Sequence, residues 1–319
     1  MLQSTHVEQP SAPTAPIIRQ FFVINRWLTL FGFLALAMIG LTLGLSFVDD
    51  RLVSNAPLWI KPLKFALSLS INTFTILWLL RFLQGQRWAR IAGNMVAVAS
   101  LVEIVIISGQ AARGVGSHFN FGTVLDGILF SIMGIFVYVL WGGMLIIAIL
   151  LMRQRFEKPA LAWALRLGLF ITLAGGLVGQ IMVMPTADQM AVMQGGSMSA
   201  LIGAHSVGAV DDGGGLPFVG WNTEGGDLRA PHFFGLHAIQ VLALIGGLLS
   251  TNRFPRLRQR QRVGLVWVAA LGYAAFFAIT LWQALSGEPL FSPSGATLAA
   301  YGVLVAAVVV ASWWVSRNE

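Results

Sequence analysis

Thr123–Leu151, TVLDGILFSIMGIFVYVLWGGMLIIAILL, decides the fold, because over this whole length the one charged residue is Asp126. A stretch of this kind is too long for a core strand and too apolar for a surface helix. In hydrocarbon no water is present to satisfy backbone N–H and C=O groups, so the segment must be a helix that pairs them internally. It is therefore read as a membrane span.

Working outward, comparable apolar stretches run over 27–48, 58–80, 89–110, 160–184, 233–250, 263–285 and 296–315, each bounded by charges, Pro or Gly. The expected fold class is all-α: a polytopic membrane helix bundle with about eight transmembrane helices. Composition agrees, with 56% of the 319 residues hydrophobic and 10% charged, and a mean hydropathy of +0.77. The net charge of +7 would suggest nucleic acid in a soluble chain. Here the basic residues sit in short connections between apolar spans, so they report topology, and no nucleic-acid partner is expected.

Lys and Arg concentrate in cytoplasmic loops. With both termini inside, 15 of the 20 basic residues fall on the cytoplasmic side, including the run Arg253, Arg256, Arg258, Arg260 and Arg262. Arg51, Lys61, Lys64, Arg113 and Arg229 fall outside, with ten of the thirteen acids. This predicts a plasma (inner) membrane protein with cytoplasmic N- and C-termini. Residues 1–25 read as a disordered cytoplasmic tail, and 26–319 as one transmembrane domain. The first span ends in Phe47-Val48-Asp49-Asp50 without a small-residue cleavage site, which predicts an anchor, not a cleaved signal.

The fifth and sixth spans are joined by an outer loop, 185–231, too long to be structureless. Thr186, Asp188 and Gln189 predict a short helix start, while DDGGGLP at 211–217 and EGG at 224–226 are turn chemistry. A lid or re-entrant segment is expected. Gly40/Gly44 and Gly175/Gly179 are GxxxG pairs, and Gly168, Thr172 and Gly176 continue at fours; these are faces for close helix approach, within the chain or across an oligomer.

No cysteine is present, so thiolate metal sites, disulfides and cysteine nucleophiles are excluded. Any metal must be held by His, carboxylate or Met; the Met182, Met184, Met190, Met193 and Met198 group fits no single helical face. Apart from His6 in the tail, the histidines all fall at the outer side: His118, His205, His232 and His237. They are candidate ligands for one outer metal ion or haem, candidates for acid/base chemistry, or interfacial residues capping helices. His232 and His237 are five apart, about 140° on a helical wheel, and cannot chelate together from one continuous helix.

Glu103 lies among Leu101, Val102, Ile104 and Val105 and needs a partner or a proton. Lys61 or Lys64 is the expected partner. With Ser68, Asn72 and Thr75 these lysines form a polar stripe within about 80° of the wheel, expected to face the bundle interior or a water-filled cavity. Asp126 begins the fourth span, where a negative charge favours a helix N-terminus. The loop stretch Trp221-Asn222-Thr223-Glu224-Gly225-Gly226-Asp227-Leu228-Arg229 packs charge and an indole immediately before His232.

Three function classes follow. The first is a membrane-embedded enzyme, or a metal- or haem-binding protein of oxidoreductase type, with an outward His/carboxylate pocket. There Glu103, His118, Asp126, Glu224 and Asp227 are the candidate catalytic groups, and Lys61, Lys64, Asn72, Arg113, Arg229 and Trp221 bind an anionic or lipid-soluble small molecule. The second is a proton- or cation-coupled transporter using the stripe and Glu103. The third is a non-catalytic assembly partner in the bilayer.

Overall fold

The computed structural model describes residues 16–197, 199–211 and 213–317. The expected tail up to residue 15, including His6, lies outside them, as do Met198 and Asp212. Eight helical spans are long and apolar enough to cross a membrane, the sixth counted across a one-residue interruption, and the chain is an all-α polytopic bundle. It divides into two compact units: one takes residues up to 118 and 125–157, the other 119–124 and 158 onward.

The first unit opens with α1 (Ile17–Ile24), so the end of the expected irregular tail is helical. Asn25 then caps α2 (Arg26–Leu45), its Oδ1 accepting from the Leu28 N–H at 2.9 Å. Its amide nitrogen reaches across to Asn94 Oδ1 (2.9 Å) and the Arg90 carbonyl. A short hairpin follows, β1 (Leu52–Val53) and β2 (Ala56–Pro57), turning through Ser54 and Asn55, both at left-handed φ. Then come α3 (Ile60–Leu80), a 3-10 turn at Arg81–Leu83, α4 (Arg87–Ala112) and α5 (Val124–Arg153). Helices α2, α3 and α4 pack on one another, and Gly143 of α5 lets that helix lie against the Ala92 carbonyl and Val96 of α4.

The polar stripe of α3 does not lie on its packed face. That face is Leu63, Ala66, Leu69, Thr73, Ile76, Leu77 and Leu80, whereas Ser68 is exposed and Asn72 and Thr75 are half-buried. Around the wheel the two sets are roughly 140° apart. The expectation of an interior stripe is corrected accordingly. Gly40 and Gly44 also differ from expectation: a Cβ at either would meet nothing within 4 Å, so this GxxxG pair packs against no other part of the chain among the described residues.

The second unit is built around α6 (Pro159–Met182), which packs on α8 (Arg229–Leu236), α9 (Ala238–Leu249) and α10 (Gln259–Leu285); α11 (Gly295–Arg317) packs on α10. Here the glycines do the expected work. A Cβ on Gly175 would stand 2.5 Å from the Gly235 backbone, and one on Gly168 would stand 3.0 Å from Ile239 Cα. Only bare backbone permits this approach.

The sixth span is not one helix. It breaks at His237, between α8 and α9, which frees backbone groups in a place where water is scarce. Thr172 of α6 takes up two of them: its hydroxyl donates to the Leu236 carbonyl (3.2 Å) and accepts from the Ile239 N–H (3.1 Å). Tyr273 of α10 donates to a third, the Phe234 carbonyl (2.7 Å).

Candidate functional site

The long segment after α6 is structured throughout its described length. Thr186 and Gln189 form a reciprocal capping box on α7 (Ala187–Gln194), as the sequence predicts. The Gln189 amide then holds Gly203 from both sides: its nitrogen donates to the Gly203 carbonyl and its oxygen accepts the Gly203 N–H. Residues 119–121 are zipped onto 200–202 by the Ile202 N–H to Phe119 carbonyl and Phe121 N–H to Ala200 carbonyl bonds. Phe119 adopts a left-handed φ of 61°, unusual for a bulky residue, and its buried ring meets the His205 imidazole edge-on at 4.8 Å.

The second half of the segment is closed by Asn222 and Asp227. Asn222, 3% exposed, donates to Ser206 Oγ and the Val210 carbonyl and accepts the N–H groups of Glu224 and Gly225. Asp227, 2% exposed, accepts the N–H groups of Asn222 and Arg229. It also takes a two-pronged contact from the Arg229 guanidinium, at 3.0 Å from Nε and 2.6 Å from Nη2. Nη2 of Arg229 also donates to the Gly220 carbonyl. The polar atoms of Asp227 and Arg229 are thus used inside the scaffold. Trp221 packs edge-on against Phe233 and Phe234 of α8. Glu224 is exposed beside the turn at Gly213 and Gly214.

This scaffold, with the two-residue ladder β3 (Ser206–Val207) to β4 (Gly226–Asp227), fixes His205. Asp211 Oδ2 lies 2.8 Å from His205 Nδ1, while Asp211 Oδ1 accepts the N–H groups of His205 (2.7 Å) and Ser206 (2.6 Å). Burial pushes the Asp211 carboxyl up, but the His205 ring and the Ser206 N–H outweigh it and hold the group well below the usual carboxylate range. A carboxylate only accepts, so Nδ1 of His205 carries a proton, which in the neutral ring makes Nε2 the basic nitrogen.

His232, at the start of α8, repeats this pattern with a different acceptor. Its Nδ1 donates to the Gly175 carbonyl at 2.8 Å, again turning Nε2 into the basic nitrogen. Gly179 leaves room beside the ring, since a Cβ there would sit 3.5 Å from His232 Cε1. A charge on His205 or on His237 would repel one on His232, which groups these three imidazoles of the second unit. The His237 ring lies tilted against that of Phe233, with centroids 4.4 Å apart. The break at His237 also removes the wheel argument for this pair, since the two no longer ride on one continuous helix.

In the first unit, His118 stands between Phe65 (5.7 Å) and Phe130 (6.0 Å), with Ser117 Oγ 3.1 Å from Nδ1. Asp126, 3% exposed, is more than a helix-start charge: it accepts from Gln110 (2.8 Å) and pairs with Arg113 (2.7 Å), which also donates to Gln110. Glu103 is 4% exposed and takes no part in that network; its Oε1 has no hydrogen-bond partner. The charge that reaches it is Lys61. A cavity of about 140 Å³ lined by residues from Val23 to Arg90 contains none of the candidate groups.

Among the described residues no three His, Asp or Glu side chains gather as a metal ion would require. Asp211 is the residue that sequence reasoning missed: an Asp bordering a Gly-rich turn six positions from a histidine, read as turn chemistry alone, while Asn222 is read only as part of the charged stretch 221–229. Comparison with protein-family models, with curated proteins and with solved structures finds no match to this chain.

Proposed function

We propose that the chain is a membrane-embedded enzyme whose chemistry is done by the imidazole group of the second unit, with His205 as the principal base, on a lipid-soluble substrate or one presented at the outer face of a plasma membrane. The observation that carries this is the His205–Asp211 contact. A carboxylate locked by two backbone N–H groups orients the ring, fixes its tautomer and stabilises the imidazolium formed when Nε2 takes a proton. A plain helix cap or a solvated surface histidine needs no such support.

One observation favours a second reading, ligation of a metal or haem. Histidines that bind metals donate their other ring N–H to a carboxylate or backbone carbonyl, and His205 and His232 do one each. A haem needs only one or two protein ligands, so the lack of a three-residue group does not bear on it. The absorption spectrum and metal content of detergent-purified protein separate the two readings. A Soret band or stoichiometric metal lost in both His205→Ala and His232→Ala supports ligation. Without either, the acid/base reading expects histidine NMR to report a neutral His205 protonated on Nδ1 only, reverting to the ordinary mixture of tautomers in Asp211→Asn. A His205 resonance in that mixture in the wild type would refute it.

A further inference from the structure

Glu103 belongs to neither the imidazole group nor the Asp126 network, and its surroundings are unlike those of any other acid among the described residues. It sits nine residues from the Ala112 end of α4 and sixteen from the Arg87 end, about 14 Å and 24 Å along the axis. It is therefore deep in the hydrocarbon by either route. One turn earlier on the same helix face, Ser100 Oγ is buried without a hydrogen-bond partner, as is Thr73 Oγ1 on the packed face of α3. Most buried polar atoms in a native interior are paired, so an unpartnered carboxyl oxygen on a buried helix face calls for an explanation.

The charged groups around it are few. Helix α2 carries only Arg26, at its far N-terminus, and α5 carries Asp126, already held by Gln110 and Arg113, and Arg153 at its last position. Helix α3 carries Lys61 and Lys64, and it is Lys61 whose charge acts on Glu103. A carboxylate with no hydrogen bond is expensive in such surroundings, and its neutral form is not. The Lys61 charge, in turn, gives the carboxylate a counter-ion when the proton leaves. Both forms of Glu103 are thus accommodated, by different neighbours.

We propose that Glu103 is an intramembrane proton-binding site: the carboxyl, buried one turn from the Ser100 hydroxyl and without a hydrogen-bond partner at Oε1, holds one proton and exchanges it. The site belongs to the first unit and the imidazole group to the second, and the proposal survives if the chemistry proposed there is wrong.

The test is infrared spectroscopy of the full-length protein in lipid. The expected result is a carboxylic acid C=O band at neutral pH that shifts on hydrogen–deuterium exchange, disappears on alkaline titration, and is lost in Glu103→Gln. Dicyclohexylcarbodiimide gives a second readout that needs no variant. The protonated carboxyl adds across the carbodiimide, its proton passing to nitrogen and its oxygen to the central carbon, and the adduct rearranges to a stable N-acylurea. Peptide mapping of the wild type should find that mass on Glu103. Absence of both the band and the label overturns the proposal. A band that vanishes when sodium ions are added at constant pH also overturns it, in favour of a cation site.

Discussion

Replacing Thr172 by Val tests whether one hydroxyl stitches the broken sixth span. The substitution keeps the branched shape and removes the group that donates to the Leu236 carbonyl and accepts from the Ile239 N–H. The Ile239 N–H is then left without a partner in a fully buried residue, and the Leu236 carbonyl in one that is 36% exposed. Each orphaned group costs about 1–3 kcal/mol, so the expected loss is about 2–6 kcal/mol. Thr172→Ser restores the hydroxyl and forfeits one methyl group, which costs about 1 kcal/mol. Equilibrium unfolding of the three proteins in mixed micelles, with rising sodium dodecyl sulfate, measures the differences. A Val variant within about 0.5 kcal/mol of the wild type, the scatter expected of a neutral change, would refute the stitching argument. So would a Ser variant as weak as the Val one.

Gly175→Ala should cost about 1–3 kcal/mol, the range for overpacking, because its methyl would collide with the Gly235 backbone. Gly40→Ala, in the other GxxxG pair, should leave the stability of the monomer unchanged by the same unfolding assay, and equal effects would remove the distinction drawn between the two motifs. Asp211→Asn should loosen residues 205–211, read by hydrogen–deuterium exchange in the wild type and the variant. Because the folded-state pKa of Asp211 is lowered, its contribution is fully present above the ordinary carboxylate value of about 3.9 and is lost as pH falls through the lowered one. The gap between the two proteins must therefore narrow in acid, and a gap that widens there would contradict the assignment.

Hydropathy made the spans legible because lipid imposes a length and a polarity that few other environments demand. Thr186 and Gln189 were legible for a similar reason: a capping box is a local device, and its partners are three residues apart. What could not be read depends on distant neighbours. Gly40/Gly44 and Gly175/Gly179 are the same motif, yet only the second meets another helix. The stripe on α3 was placed correctly on the wheel, but which way the wheel faces is decided by α2 and α4. The break at His237 has no proline to announce it and is sustained by Thr172 and Tyr273 from two other helices. Asp227 and Arg229 were noticed for their charge, whereas the structure uses that charge to close a loop. Asp211 was passed over because its significance lies in the ring it orients.

The pairing of residues 119–121 with 200–202 carries a genealogical consequence. Neither unit corresponds to one uninterrupted stretch of gene, since 119–124 belong to the second while the residues on both sides belong to the first. A recombination event that carried off residues 158–319 alone would strand Ile202 and Ala200 without Phe119 and Phe121. A gene fragment that kept the second unit whole would have to carry residues 119–124 as well.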